Sequence, residues 1–272
     1  MRWRNKVCDT VCAMPDFDTL TFAQSGPIAT IVLNRPDAAN GMNDTLTREL
    51  SVVAALCDTE ATKVVTLTGA GRFFSAGGDL KAMAAAPSPG AFVKGIADDL
   101  HRALSTFARM DAVLITAVNG TAAGAGFSLA VTGDLVLAAE SAKFTMAYTK
   151  AGLSPDGSSS YYLPRLIGIR RTQQLMLTNR TLSAAEALDW GLLTEVVPDA
   201  DLAARTDALA AEMARTSRTS NGAVKRLLLG TYRTGIEEQM ELEGRYIADC
   251  ARSADGKEGI AAFLGKRKPE FS

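Results

Sequence analysis

Histidine is nearly absent from this chain of 272 residues, with His101 the single one. Cysteine is scarce too: Cys8, Cys12, Cys57 and Cys250 are spaced for neither a disulfide framework nor a zinc site, and one histidine cannot complete the latter. No metal is expected, and a reducing, cytoplasmic setting follows as the default. Aromatic residues make up 6%, too few for a platform on which nucleic-acid bases stack. Charge of either sign is balanced, 29 basic side chains against 30 acidic ones, so no field directs the chain to nucleic acid or to an anionic membrane. No apolar run approaches the roughly 20 residues that a bilayer span needs.

A hydrophobic fraction of 47% is present, which excludes a disordered chain and supports one large α/β domain or one with a helical appendage. Residues 1–13 carry Arg2, Arg4 and Lys6 without the apolar stretch of a secretory signal, and read as an extension outside the core. Residues 19–33 alternate around Gly26-Pro27 as a hairpin does. A helix starting near Asn43 or Asp44 would bury Leu46, Leu50, Val53 and Ala54, spaced near 3.6 residues. A strand over 63–68, a helix over 90–110, a strand over 113–118, a small-residue helix over 126–132 and strands over 135–138 and 144–147 follow. A further helix is expected over Ser158–Leu166. Ser183 and Glu186 form a capping box, with Gly191 ending that helix. Beyond Pro198 the pattern is helical, over 201–215, 218–230, 234–252 and 257–265. The expected organisation is therefore a core over 14–200 and a helical, oligomerising region over 201–272.

Two glycine-rich turns, each leaving a hydrophobic strand, carry the chemistry. One runs from Gly71 through Phe74-Ser75-Ala76-Gly77-Gly78-Asp79-Leu80 to Lys81, the other from Asn119-Gly120 through Gly124 and Ala125 to Gly126. Such turns let a ligand approach the backbone, and a helix beginning there points free N–H groups outward. Two turns converging on one carbonyl oxygen would form an oxyanion hole. Taken singly, each is as well read as structural. A dinucleotide fingerprint is excluded at Gly69-Ala70-Gly71 because Phe74 replaces the third glycine. No Gly-x-Ser-x-Gly elbow accompanies the lone histidine, which argues against a serine hydrolase.

With Leu33-Asn34-Arg35-Pro36 and Asn40 ahead of these turns and Gly152-Leu153-Ser154-Pro155-Asp156-Gly157 behind them, the chain resembles the crotonase superfamily, the enoyl-CoA hydratase/isomerase group, over residues 17–272. That resemblance implies an α/β fold, a spiral of repeated ββα units with a C-terminal helical region that builds homotrimers or homohexamers. It implies an acyl-CoA substrate whose thioester carbonyl rests between the N–H groups of Gly78 and Ala125. CoA contacts map to Ala38, Ala76, Gly78, Asp79, Leu80 and Lys81, with Phe263 and Lys266 at the nucleotide end. No separate cofactor is implied, since CoA belongs to the substrate. Relatives that hydrate enoyl-CoA use two glutamates; Ser128 and Tyr148 stand at those positions and are assigned to the substrate pocket. Asp156 stands where some isomerases of the family carry a proton-transferring aspartate. The resemblance thus implies an isomerase that shifts a carbon–carbon double bond, with Asp156, Gly78 and Ala125 catalytic. A catalytically quiet acyl-CoA-binding homologue, an atypical hydratase and a thioester hydrolase are the alternatives. Read without the resemblance, Asp156 is a helix N-cap, Asp79 orients its turn, Lys81 is a solvated charge and His101 lies on a solvated helix face.

Overall fold

The computed structural model describes residues 16–272; the extension expected over 1–13 lies outside them. β1 (Leu20–Ser25) and β2 (Ile28–Leu33) pair antiparallel across Gly26-Pro27, with Leu20 opposite Leu33. Helix α1 (Asp44–Cys57) begins where Asn43 accepts the Leu46 N–H at 3.0 Å, and buries Leu46, Leu50, Val53 and Ala54 as their spacing predicts.

Three units follow, each with two strands before its helices. β3 (Val64–Gly69) and β4 (Phe73–Ser75) precede α2 (Leu80–Ala85) and α3 (Pro89–Arg109). β5 (Val113–Val118) and β6 (Thr121–Ala123) precede α4 (Ala125–Ala130). β7 (Leu135–Ala139) and β8 (Lys143–Thr145) precede α5 (Ser159–Thr178), which is broken at Gly168. β9 (Leu182–Ser183), α6 (Ala184–Asp189) and β10 (Glu195–Val197) close the core, with the Ser183–Glu186 capping box in place. The leading strand of each unit joins a six-stranded sheet ordered β1-β2-β3-β5-β7-β10; the second joins a four-stranded sheet ordered β4-β6-β8-β9. This is the expected α/β spiral of ββα units.

The large sheet is parallel from β2 onward, so both its faces must be covered. β5 meets this demand along its whole length. Leu114 and Val118 enter the main core with Leu67, Phe107 and Phe127, while Val113 and Ile115 enter a second cluster with Leu202 and Leu209. Those last two come from α7 (Leu202–Met213), which covers the second face. Three more helices follow: α8 (Arg218–Gly230), α9 (Ile236–Arg252) and α10 (Ala254–Leu264). The α10 helix starts earlier than expected because Ser253 ends α9 and caps the next helix, accepting the Gly256 N–H at 2.9 Å. Among the described residues no helix is long and apolar enough to cross a membrane.

Candidate active site

The two glycine turns leave neighbouring strands. β4 and β6 pair in parallel, so the chain emerging from each arrives beside the other. The approach is close enough to exclude side chains. Gly77 has φ +88°, and a Cβ there would sit 2.6 Å from the Ala123 carbonyl oxygen and 3.1 Å from the Ala125 nitrogen. A Cβ on Gly126 would collide with the Ser75 carbonyl. Gly78 and Ala125 consequently line one cavity of about 340 Å³. Neither of their N–H groups has an acceptor among the described residues, which for Ala125 follows from its place at the start of α4.

Polar side chains, Asn40 fully buried among them, fix the shape of the first turn. The Asn40 Oδ1 accepts the Arg35 N–H at 2.8 Å, and its Nδ2 donates to the carbonyls of Ala70, Phe73 and Phe74 at 2.9, 2.8 and 3.2 Å. Asn119 takes the Gly69 N–H at 3.1 Å and donates to the Gly71 carbonyl at 2.9 Å. Asp79 does what its orienting reading requires: it caps α2 through the Ala82 N–H at 3.1 Å and pairs with Arg35 at 3.1 Å. Partial burial opposes its charge, but the Ala82 N–H and the Arg35 guanidinium outweigh that and hold the carboxyl below the usual aspartate range.

The cavity walls are apolar, with Met42, Leu80, Met83, Ile96, Leu100 and Leu153 among them. Among the described residues Asp156 is the sole carboxylate in the lining. Its peptide is held firmly: the carbonyl oxygen accepts from Ser128 Oγ at 2.7 Å, Ser159 Oγ at 3.0 Å and Tyr148 OH at 3.2 Å. Burial pushes the Tyr148 phenol above the ordinary tyrosine range, so it stays protonated and able to donate. The Asp156 carboxylate caps no helix. α5 starts from Ser158, in the left-handed region at φ +67°, and Oδ1 of Asp156 instead lies 2.6 Å from Nε2 of His101 on α3.

One cavity thus gathers Ala76, Gly78, Leu80, Ala125, Tyr148 and Asp156. Ser128, assigned to the pocket, is fully buried behind its wall and acts on the Asp156 carbonyl. Asp79 and Lys81 adjoin the cavity through the chain, and the Lys81 side chain is exposed. Ala38, Phe263 and Lys266 lie outside the cavity of their own chain. His101 is exposed, as expected, yet it is also the partner of Asp156, which its sequence setting does not disclose. The position of α3 against the residues after β8 brings the two together across 55 residues, and no local pattern encodes that. Two free N–H groups and one carboxylate around an apolar cavity can hold a carbonyl oxygen and move a proton.

Comparison with known proteins places the chain among its relatives. The family model for enoyl-CoA hydratase/isomerase matches residues 23–272. The 1,2-epoxyphenylacetyl-CoA isomerase of Escherichia coli K12 is 39% identical over 251 residues, covering 90% of this chain and 95% of that protein. A probable enoyl-CoA hydratase of Rhodobacter capsulatus is 36% identical over 257 residues, covering 94% and 98%. The crystal structure of an enoyl-CoA hydratase from Polaromonas sp. JS666 superposes with a TM-score of 0.88 at 28% identity, covering 93% of this chain and 99% of that one.

Proposed function

The chain belongs to the enoyl-CoA hydratase/isomerase family, and from that premise we propose that it is an acyl-CoA isomerase converting 3-enoyl-CoA to 2-enoyl-CoA. The observation that carries this reading is that, among the described residues, Asp156 is the one carboxylate lining the cavity that holds Gly78 and Ala125. Hydration by two glutamates has neither of them here, since Ser128 and Tyr148 stand at those positions and donate to the Asp156 carbonyl. A single carboxylate suits a proton shuttle, which consumes no water.

In this reading the thioester oxygen lies between the N–H groups of Gly78 and Ala125. Asp156 removes a proton from the carbon next to the thioester. The electron pair moves into the thioester, giving a dienolate whose oxygen charge the two N–H groups stabilise; losing one such donor costs about 3–4 kcal/mol of barrier in other enzymes. Asp156 then returns the proton two carbons further along the chain, and the double bond becomes conjugated with the thioester. Stripping water from a carboxylate strengthens it as a base, and an acyl chain filling the apolar cavity would do so. No group beyond the CoA ester and the protein is required.

The CoA portion would run along Ala38, Ala76 and residues 79–81 toward Phe263 and Lys266 of a neighbouring copy. In support, Ile247, Phe263 and Leu264 are 72%, 84% and 76% exposed on α9 and α10, apolar surface suited to a homotrimer or homohexamer. The name of the Escherichia coli relative makes an aryl epoxide CoA ester a second substrate to test on the same constellation.

The test is turnover of short, long and aromatic 3-enoyl-CoAs by wild type and Asp156→Asn. The variant is expected to lose 10²–10⁴-fold in kcat, the usual contribution of a general acid–base, while binding CoA esters as before. Inactive wild type on all three substrates overturns the isomerase reading. A fully active Asp156→Asn overturns the base assignment.

A further inference from the structure

His101 stands at a junction. Its imidazole lies at the edge of a second cavity, of about 680 Å³, between α3, α5 and the tail helices. Asp156 lines the first cavity and His101 the second, and a 2.6 Å contact joins the two side chains. Asp156 is thereby held from both ends. Ser128, Ser159 and Tyr148 fix its carbonyl, and His101 fixes its side chain.

We infer that His101 is a positioning residue for the proton shuttle, donating its Nε2–H to Oδ1 of Asp156 so that Oδ2 faces the acyl chain. This rests on the proposed role of Asp156. The chemistry of the pair follows from donor inventory. An ionised carboxylate only accepts, so the imidazole nitrogen facing it carries a proton. With Oδ1 engaged, the proton taken from the substrate goes to Oδ2, and the same oxygen returns it. Rotation about the Cβ–Cγ bond of an unheld aspartate would interchange the oxygens and swing the acceptor off line, and positional errors of about 1 Å cost up to 10²-fold in rate. The imidazole touches no reacting atom, and its effect belongs in kcat rather than in substrate affinity.

The neighbourhood leaves His101 available for this contact. On its own helix Lys94 binds Asp98 and Arg102 pairs with Asp99, so both nearby carboxylates already have partners. Of the three arginines that line the second cavity, Arg226 pairs with Asp111, Arg109 donates to Ser105 at 2.8 Å, and Arg233 is the third.

Two substitutions separate the donor from mere bulk. His101→Gln places an amide nitrogen the same number of bonds from Cα as Nε2, so it keeps a donor; His101→Leu keeps volume and removes it. Expected in steady-state assays is a 10–100-fold fall in kcat for His101→Leu with KM changed less than threefold, and recovery to within about fivefold of wild type for His101→Gln. Because the chain has one histidine, ¹H–¹⁵N spectra of ¹⁵N-histidine-labelled protein report this imidazole alone. A downfield Nε2–H resonance protected from exchange is expected in wild type and should vanish in Asp156→Ala, which removes both side-chain acceptors.

The outcomes discriminate. Wild-type kcat in His101→Leu, with turnover abolished in Asp156→Asn, overturns the positioning role and leaves the isomerase reading intact. An Nε2–H resonance unchanged by Asp156→Ala overturns the pairing itself, whatever the kinetics. Wild type inactive on 3-enoyl-CoAs removes the proposed function and this inference with it; a fully active Asp156→Asn removes the base assignment and with it this inference, and leaves the isomerase reading standing.

Discussion

Asn40 holds the first glycine turn from inside the protein. It is fully buried, and its amide serves one N–H and three carbonyls that belong to the turn or flank it. In the unfolded chain those four backbone groups bond to water; in the folded core Oδ1 takes the N–H and the two Nδ2 hydrogens are shared among the three carbonyls. Truncation would strand them, and each unmade bond to a buried backbone group costs on the order of 1–3 kcal/mol before relaxation. Asn40→Ala is therefore expected to lose about 2–4 kcal/mol in urea unfolding with an unchanged m-value, and to raise KM for CoA esters as Gly78 loses its fixed direction. A loss below about 0.5 kcal/mol would mean that the turn is held elsewhere. At this scale the sequence discloses residues whose role is carried by local pattern: Gly77 and Gly78, Gly124 to Gly126, and Asp156 all sit in recognisable runs. It does not disclose partnerships formed across distance. Ser128 reaches the Asp156 carbonyl over 28 residues and His101 reaches its carboxylate over 55. An exposed histidine among charged neighbours looks the same in sequence whether or not a carboxylate faces it.

Elements were legible where a regular pattern repeats, not by length alone: α5 runs to Thr178, beyond the expected Ser158–Leu166, because Pro164 and the break at Gly168 interrupt its period. α1, α3 and α8 are long enough for the 3.6-residue period to repeat, and β3 and β5 are continuous apolar runs, so their placement from sequence agrees with the structure within a few residues. β4, β6, β9 and β10 have two or three residues each, too few to display alternation, and the four-stranded sheet is therefore invisible in sequence except for a trace of β8. Yet that sheet places the two glycine turns side by side. The far end of the chain offers a test at the same scale. Glu258 on α10 accepts from Arg267 at 2.5 and 2.7 Å and from the Glu270 N–H at 2.9 Å, folding the last residues back on the helix. The Arg267 bonds foremost, and the Glu270 N–H after them, bring its carboxyl down to about 2. A carboxyl depressed by folding stabilises the fold above its unfolded range, near 4.3, and that contribution fades as pH falls from there toward 2. Exchange of amides 266–272, corrected for intrinsic rate, is expected to rise between pH 4.5 and pH 3 while near-ultraviolet dichroism still reports a packed core. Glu258→Gln should show the faster exchange already at pH 5. Equal protection across that range would show that the clasp contributes nothing.

Across the whole molecule, the link between core and tail bears on the site because α3 serves both. One face of α3 contributes Ile96 and Leu100 to the cavity and places His101 against Asp156; its C-terminal end meets α8. Lys225 makes that junction. It is 8% exposed, donates to the carbonyls of Phe107 and Ala112 at 2.9 and 2.7 Å, and pairs with Asp134 at 2.7 Å. Burial drives the Asp134 carboxyl above the usual aspartate range even with Lys225 and the Leu114 N–H holding it the other way. Asp111 adds an outer brace, joining Arg218 and Arg226 of the same helix. Lys225→Met preserves length and volume while removing the charge and all three bonds, and a buried partner left uncompensated typically costs about 3–5 kcal/mol. Since Asp134 retains some access to water, the lower part of that range is expected in urea unfolding of Lys225→Met. Adding Asp134→Asn removes the stranded charge, so the double variant should be more stable than Lys225→Met alone. If Lys225 acts through the α3–α8 junction, kcat in the single variant should fall along with stability even where the protein is still fully folded, because α3 carries both the cavity wall and the imidazole that holds Asp156. A variant that loses stability but turns over 3-enoyl-CoA at the wild-type rate would separate the tail from the site and confine Lys225 to holding the fold.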